Sequence, residues 1–250
     1  MSFPVILHSP DGEQFNTYAA PTNTTTKQPY RWPLGTQLWL QGGRKYRFVV
    51  KSTAAAVVAN VQQAAANTAN HLNNVLAAAA AVGDRSVQIA LAGTDTAANE
   101  YAQGYAYGED GAGEGYMHLI DNHLATTGAA TITANLAPGH SVQVAATTAS
   151  EWSIIRNPYR SVLIMPTTPT QIPVGVAVGV LGASRQGWLQ TGGPAVVLTQ
   201  GTLVLGNKAQ LSTTTAGAVC PVADDIQAHI GWVMRVAATT EHSAIYLTID

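Results

Sequence analysis

The sequence predicts a mainly β protein, built from antiparallel β-sandwich or barrel modules that hairpins connect. Three observations carry this prediction: short runs of alternating polarity, turn residues between them, and no alternation of strand and helix patterns. From residue 84 onward the runs follow one another at roughly the 8 to 15 residue spacing of sandwiches and barrels. These runs are "SVQIAL", "EYAQGYAY", "GYMHLI", "ATITANL", "SVQVAA" and "EWSIIR".

A hairpin is predicted in "TQLWLQGGRKYRFVV", Thr36 to Val50. Apolar and polar residues alternate on either side of Gly42 and Gly43, with the period of two that a half-buried strand requires. Because glycine adopts positive φ without steric cost, a Gly-Gly pair suits the tight primed turn of a hairpin.

Two segments are less regular. Residues 1–35 contain five prolines and the polar tract Thr22 to Gln28, which favours an extended N-terminal arm lying on its own domain or on a neighbouring subunit. In the alanine-rich stretch 53–82, propensity favours a helix over 54–66, but five asparagines and the lack of an apolar stripe favour a loop or short strand. We therefore expect at most a short helix there.

The last third contains a faint repeat, which predicts two β-hairpins over 172–191 and 229–249 with Trp188, Trp232 and Tyr246 in the interior or at the rim of a small barrel. The uncharged stretch Gln186 to Gly206 is predicted to be a rigid hairpin and loop. In it Trp188 packs as an anchor, and Gly192, Gly193 and Pro194 form the bend. The predicted organisation is an arm and hairpin over 1–52, an alanine-rich insertion over 53–82, a β domain over 83–160 and a C-terminal module over 161–250.

Composition favours assembly. Of the 250 residues 46 % are apolar and only 10 % are charged, against a usual charged share of about 25 %. Neutral polar side chains lose less than charges on desolvation, so a surface built from them docks at lower electrostatic cost. The alternative is a chain that is merely poor in Lys and Glu.

Several classes of partner are disfavoured. The net charge is −2, and the group Arg44, Lys45, Arg47 and Lys51 is too small to form the basic stripe that nucleic-acid binding needs. The N-terminus lacks the pattern of a secretory signal, and no apolar run reaches the ~18 residues of a membrane span. We therefore expect a chain made in the cytoplasm, without nucleic-acid or membrane partners, in which Cys220 is a small buried side chain.

The strongest candidate for chemistry is "GEDGAGEGYMHLIDNH", which contains Glu109, Asp110, Glu114, His118, Asp121 and His123. On a strand His118 and Asp121 point to opposite faces, and only Asp121 and His123 share one, which disfavours a zinc site. The loop also lacks calcium-binding spacing and the glycine order of a phosphate loop. A solvated hairpin loop is the preferred interpretation, and a metal-dependent enzyme around Asp121 and His123 is the alternative.

No local catalytic motif occurs in the sequence, and we predict no catalytic residue, cofactor or metal. The tryptophans could instead stack on sugars, as in a lectin, although packing in a core or an interface is favoured for aromatic residues on strands. They are Trp32, Trp39, Trp152, Trp188 and Trp232.

Three segments carry a resemblance to a known family: "GEQFNTY", "PLGTQLWLQGGRKYRF" and the closing pattern "PVGVAVGV…GWLQTGGPAVVL…IGWVMRVAATTEHSAIYLTID". Together with "NEYAQGYAY" and "IIRNPY", they are similar to virion structural proteins of tailed bacteriophages. The closing pattern resembles small head decoration, or capsid cement, proteins.

The resemblance implies a non-enzymatic protein on the outer surface of the phage head. It would bind the lattice of the major capsid protein as a homotrimer at threefold positions and stabilise the shell. Greater length and the alanine-rich stretch depart from the smallest decoration proteins. These departures leave a tail, fibre or carbohydrate-binding receptor role as the alternative.

Overall fold

The structure, a computed structural model, describes residues 6–8, 12–19, 30–223 and 227–250. The predicted arm segment Thr22 to Gln28 lies outside the described residues. The fold is mainly β with antiparallel sheets, as predicted, and comprises one half-barrel and one nearly closed barrel. None of the described residues belongs to a helix long and apolar enough to cross a membrane.

Seventeen strands are present in the described chain. They are β1 (Ile6–His8), β2 (Gln37–Leu40), β3 (Arg44–Val50), β4 (Val61–Gln63), β5 (Asn74–Val75), β6 (Ser86–Ala90), β7 (Tyr105–Asp110), β8 (Met117–Asn122), β9 (Thr131–Leu136), β10 (Glu151–Ile155), β11 (Leu163–Ile164), β12 (Pro173–Ala177), β13 (Gln186–Leu198), β14 (Lys208–Leu211), β15 (Val219–Pro221), β16 (His229–Val233) and β17 (His242–Thr248).

These strands form two compact units. Residues 66–157 form one, which we call the inserted unit, and the described residues before 66 and after 157 form the other, the host unit. Within the described residues the chain passes from the host unit to the inserted unit after residue 65 and returns after residue 157. The sequence placed boundaries after residues 52, 82 and 160. The alanine-rich stretch is shared between the units, because β4 belongs to the host sheet and β5 to the inserted one.

The host unit contains an eleven-stranded sheet in which neighbours follow the order β1-β2-β3-β13-β17-β16-β14-β15, with β12, β4 and β11 continuing from β13. Only the pair β1 and β2 among its named strands is parallel. Alternate residues of the central strands, including Val197, Ile245 and Val233, face a core of buried aliphatic side chains. Their neighbours in sequence therefore face outward.

The inserted unit contains a six-stranded antiparallel sheet in the order β5-β10-β7-β8-β9-β6. Its two end strands meet, because Leu76, directly after β5, forms an antiparallel bridge with Ile89 of β6. The sheet thereby curls into a barrel around Trp152, Ile120 and Ile132, which are all almost fully buried.

The predicted hairpin around Gly42 and Gly43 is confirmed. β2 and β3 pair antiparallel from Gln37 opposite Arg47 to Leu40 opposite Arg44. The loop has three residues, Gln41–Gly43, and both glycines adopt positive φ, 77° and 75°. The sequence therefore located the turn and its cause, although the loop is one residue longer than a two-residue primed turn.

The alanine-rich stretch contains no α-helix among its residues, all of which the structure describes. It forms the short strands β4 and β5 and one 3-10 turn over Ala69–His71. Ala56 and Ala64 are buried in the core of the host unit, and Ala80 is buried in the core of the inserted unit. Alanine here provides small volume for close packing, and tertiary contacts override its helix propensity.

The predicted hairpin and loop over Gln186 to Gly206 is wrong. Most of this stretch is one strand, β13, thirteen residues long. The prediction failed because the chain does not reverse at Gly192 and Gly193. Instead the pairing of β13 changes there: β13 pairs with β3 up to Gly192 and with β17 from Gly192 onward. Trp188 is nevertheless buried, as predicted, with its ring edge-on to Phe48 at a centroid distance of 5.1 Å.

The two hairpins predicted from the repeat are present, as β12 with β13 and β16 with β17. They lie in one sheet, because β13 also pairs with β17. The glycine in the first strand of the second hairpin, Gly231, has a packing reason. A β-carbon at this position would overlap the backbone oxygen of Tyr246 and lie 2.8 Å from its carbonyl carbon.

Candidate functional site

The outward face of the host sheet presents one row of residues across four strands. Pro194 of β13 pairs with Tyr246 of β17, Tyr246 pairs with Trp232 of β16, and Trp232 pairs with Lys208 of β14. We call these four residues the aromatic row. Strand alternation places them outside, because the residues on either side of Tyr246 are buried.

Both rings of the aromatic row are unusually exposed for their size. Trp232 is 46 % exposed and Tyr246 43 % exposed. The ammonium of Lys208 lies 5.8 Å from the centroid of the Trp232 ring, within the range of a cation–π contact. Large aromatic side chains that stay in water on a rigid sheet are typical of surfaces that bind another molecule.

A groove opens beside Trp232, with a volume of about 400 Å³. Lys208 belongs to β14, which lies between β16 and the edge strand β15. On one side Lys208 pairs with Trp232 of β16, and on the other side the next residue, Ala209, pairs with Pro221 of β15. Val204, Asn207, Lys208, Pro221, Val222 and Trp232 line the groove. We call it the Trp232 groove.

The loop before β14 gives the Trp232 groove a fixed wall. The backbone N–H of Asn207 donates to the carbonyl of Val204 at 3.1 Å, and the N–H of Val233 donates to the carbonyl of Asn207 at 2.8 Å. These bonds close a tight turn and tie it to the end of β16. The backbone of Asn207, which carries the side-chain amide, is therefore fixed by two hydrogen bonds.

A second exposed surface of the host unit is apolar. Phe15, Val57 and Val180 are 61, 60 and 68 % exposed. A bridge between Ala56 and Leu181 brings the two valine segments together, and the Phe15 ring lies 3.6 Å from where a β-carbon of Gly179 would be. We call these three residues the apolar patch.

The position of Phe15 is fixed by the aromatic cluster beneath it. Phe15 ends a 3-10 turn over Glu13–Phe15. The carboxylate of Glu13 accepts hydrogen bonds from the Tyr18 hydroxyl and, at 3.2 Å, from the Trp188 indole N–H. Tyr18 in turn pairs with Gln186 at the start of β13. The described segment 12–19 thus lies on its own host unit.

The histidines of the predicted acidic loop region are structural. His118 is buried, and its ring stacks on Trp152 at a centroid distance of 5.7 Å. Burial, and secondarily the neighbouring His140, lower the pKa of His118. His123 is also buried: its Nε2 accepts from the backbone N–H of Tyr101 at 2.9 Å, and its Nδ1 donates to the carbonyl of Leu124 at 2.8 Å. Both ring nitrogens of His123 are therefore occupied.

The carboxylates of the same region do not converge with these rings. Asp121 accepts a hydrogen bond from Asn122 at 2.7 Å, and Glu109 from the Tyr107 hydroxyl at 2.9 Å. Asp110, the last residue of β7, and Glu114, in the segment between β7 and β8, are both exposed. In the part of the chain that the structure describes, no three His, Cys, Asp or Glu side chains could jointly hold a metal ion.

The basic group on β3 separates into different environments. Arg47 pairs with Asp250, and Lys45 lies 4.8 Å from the centroid of the half-exposed Trp39 ring. Lys51, next after β3, is buried and donates to the carbonyl of Val162 at 2.9 Å. Burial lowers the pKa of Lys51 to about 8. A buried cation with a carbonyl partner was not predicted from the sequence.

Four further side chains complete the comparison with the sequence. Trp152 and Trp188 are core residues, and Trp32 is half-buried. Cys220, predicted to be buried, is half-buried, and its thiol donates to the carbonyl of Leu211 at 3.5 Å. Of the residues that line the Trp232 groove, only Trp232 was singled out from the sequence. Lys208 and Asn207 give no local signal, because only strand pairing brings them beside it.

Comparison with protein-family models, with curated proteins and with solved structures gives no match.

Proposed function

We propose that this chain is a non-enzymatic structural protein of a tailed bacteriophage that decorates the outer surface of the head. It would bind the major capsid protein, associate with itself as a homotrimer and stabilise the shell. The observation that carries the proposal is the apolar patch of Phe15, Val57 and Val180, set on a chain with only 10 % charged residues. The resemblance of the sequence to head decoration proteins of tailed bacteriophages supports the location on the outer surface of the head.

The apolar patch suits contact with another protein. Exposed apolar side chains that cluster on a rigid β scaffold are characteristic of interaction surfaces. Burying one large apolar side chain contributes about 1.5 to 3 kcal/mol, whereas association costs an estimated 4 to 15 kcal/mol in lost freedom. Three such side chains alone therefore support only a weak single contact.

Weak contacts are sufficient on a repeating lattice. When several contacts act together, the second and later ones form at a high effective concentration, so that the whole assembly binds far more tightly than one contact. An oligomer whose copies each present the apolar patch would gain in this way. A surface of neutral polar residues keeps the desolvation cost of the surrounding contact low.

Heads assembled from the major capsid protein of the same virus test the proposal. Purified protein is added to heads that lack it, and co-sedimentation and the temperature of head disruption are measured. We expect binding in a defined copy number and a higher disruption temperature. Absence from purified virions, together with unchanged heads, would refute the proposal.

Two substitutions assign the contact to the apolar patch. Phe15→Ser and Val180→Ser should each reduce binding to heads by about tenfold or more, which corresponds to the loss of one buried apolar side chain. Val82→Ser is the matched control, because Val82 is similarly exposed but lies in the inserted unit. Equal binding by all three variants would show that the apolar patch is not the contact.

A further inference from the structure

We infer that the Trp232 groove binds acidic carbohydrate, with one sugar ring against Trp232 and its carboxylate at Lys208. This binding activity is separate from head decoration and does not depend on it. The groove belongs wholly to the host unit and lies on the outward face of its sheet.

The first requirement is a flat apolar surface. Trp232 is nearly half exposed, and its cross-strand neighbour Tyr246 continues the aromatic surface along the aromatic row. A pyranose ring presents C–H groups on one face, and stacking of this face on an aromatic ring removes apolar surface of both partners from water. Both rings project from paired strands, so little side-chain freedom is lost on binding.

The second requirement is a positive charge that is not already in an ion pair within the protein, so that a ligand can pair with it. Lys208 forms no ion pair with any residue that the structure describes, and its ammonium lies 5.8 Å from the centroid of the Trp232 ring. Lys208 lies between Trp232 and Pro221 in the groove. A carboxylate on a sugar stacked against Trp232 would therefore find an ammonium partner within the same groove.

The third requirement is hydrogen bonding to hydroxyl groups. Asn207 lines the groove, and no hydrogen bond within the described chain uses its side-chain amide. The amide offers two donors and an acceptor, which is the combination that neighbouring hydroxyls can pair with. The groove volume of about 400 Å³ falls at the lower end of small-molecule sites and is suited to one or two sugar units.

An acidic peptide would satisfy the charge but not the shape. Peptides commonly bind by adding a strand to a free sheet edge. Here the edge strand β15 already pairs through Val219 with Thr199, and the backbone N–H of Gln200 donates to the Val219 carbonyl at 2.8 Å. The open wall is an aromatic side-chain surface, which favours a sugar ring.

The test compares three probes on the whole purified chain: cellobiouronic acid, its neutral counterpart cellobiose, and an oligopeptide of glutamates. Binding is measured by calorimetry and by tryptophan fluorescence at low and high salt. We expect cellobiouronic acid to bind about tenfold more tightly than cellobiose, and added salt to reduce this preference. The glutamate peptide should bind more weakly than either sugar.

Substitutions locate the site. Trp232→Ala should weaken the binding of both sugars by about tenfold or more. Lys208→Gln should remove only the preference for the acidic sugar and leave the affinity for cellobiose unchanged. Trp39→Ala and Lys45→Gln are matched controls, because they alter a second pair of Trp ring and Lys ammonium away from the groove. Both should leave binding unchanged.

Each contrary result is decisive. The inference is overturned if cellobiouronic acid does not bind, if Trp232→Ala leaves its affinity unchanged, or if the glutamate peptide binds as tightly as the sugar. Thermal unfolding of each variant shows that the fold is retained. Head binding by Trp232→Ala is measured in parallel, and unchanged head binding would separate sugar recognition from decoration.

Discussion

Arg47 and Asp250 form a two-point ion pair between β3 and the residue that follows the last strand by two positions. The guanidinium donates from Nε to one carboxylate oxygen at 2.6 Å and from Nη2 to the other at 2.7 Å. Arg47 also donates to the carbonyl of Gly35 at 2.9 Å. The pair therefore joins segments 203 positions apart in the chain.

Asp250→Asn should lower the free energy of unfolding by about 1 kcal/mol at pH 7, because the pair is partly exposed. Arg47 lowers the pKa of Asp250 below its ordinary value of 3.8, so the stabilisation is present above that value. It is lost as the pH falls through the lowered folded-state pKa. Denaturant unfolding of both proteins across the acid range measures this, and a difference that persists after full protonation would contradict it.

Lys51→Met should raise the free energy of unfolding by roughly 1 to 3 kcal/mol at pH 7, because it removes a buried charge. The carbonyl of Val162 keeps a partner in the variant, since the backbone N–H of Ser52 also donates to it. The folded-state pKa of about 8 lies below the ordinary 10.5, so the charged form is disfavoured in the folded protein.

The sign of the pH effect distinguishes this explanation from improved packing. Between about pH 8 and pH 10.5 the folded protein releases the Lys51 proton while the unfolded chain keeps it, so the unsubstituted protein gains stability as the pH rises. The advantage of Lys51→Met should therefore shrink across this range. Denaturant unfolding at several pH values measures it, and a constant advantage would indicate packing alone.

His118→Phe should flatten the pH dependence of stability on the acid side. Burial lowers the pKa of His118 below 6.5, so folding favours its neutral form and stability falls as the pH drops below 6.5. Phenylalanine keeps a ring against Trp152 and cannot be protonated. Unfolding at about pH 7 and pH 5 should show a smaller loss for the variant, and an equal loss would assign the acid sensitivity to other groups.

Gly231→Ala should destabilise the host unit by more than about 3 kcal/mol, because the added carbon meets the backbone of Tyr246 and not a movable side chain. Gly179→Ala is the control, since its nearest neighbour is the Phe15 ring at 3.6 Å, an ordinary contact. Thermal unfolding of the two variants compares them. Similar midpoints would mean that β16 and β17 can separate to admit a side chain.

The sequence predicted the strands better than their connections. Alternation located β2 and β3, and the glycines between them marked a true reversal. The same residue type at Gly192 and Gly193 marks a strand that exchanges one neighbour for another, and local sequence does not distinguish the two cases. Which strands adjoin depends on contacts between distant segments.

The candidate sites illustrate the same limit. Trp232 stands out by residue type, but its partner Lys208 is 24 positions away and becomes its neighbour only through the pairing of β14 with β16. The apolar patch is hidden in the same way, because Phe15, Val57 and Val180 come from three separate segments. The histidines stood out in sequence, yet burial makes His118 and His123 part of the core.

The bridge between Leu76 and Ile89 in the inserted unit also affects how readily this sheet can pair with another chain. A curled sheet whose end strands are joined exposes few unpaired backbone N–H and C=O groups. Another chain therefore has little free edge on which to add a strand, which protects this sheet against edge-to-edge aggregation. Contacts of this barrel with other molecules are therefore made mainly by its side chains, and single substitutions on its surface can change them.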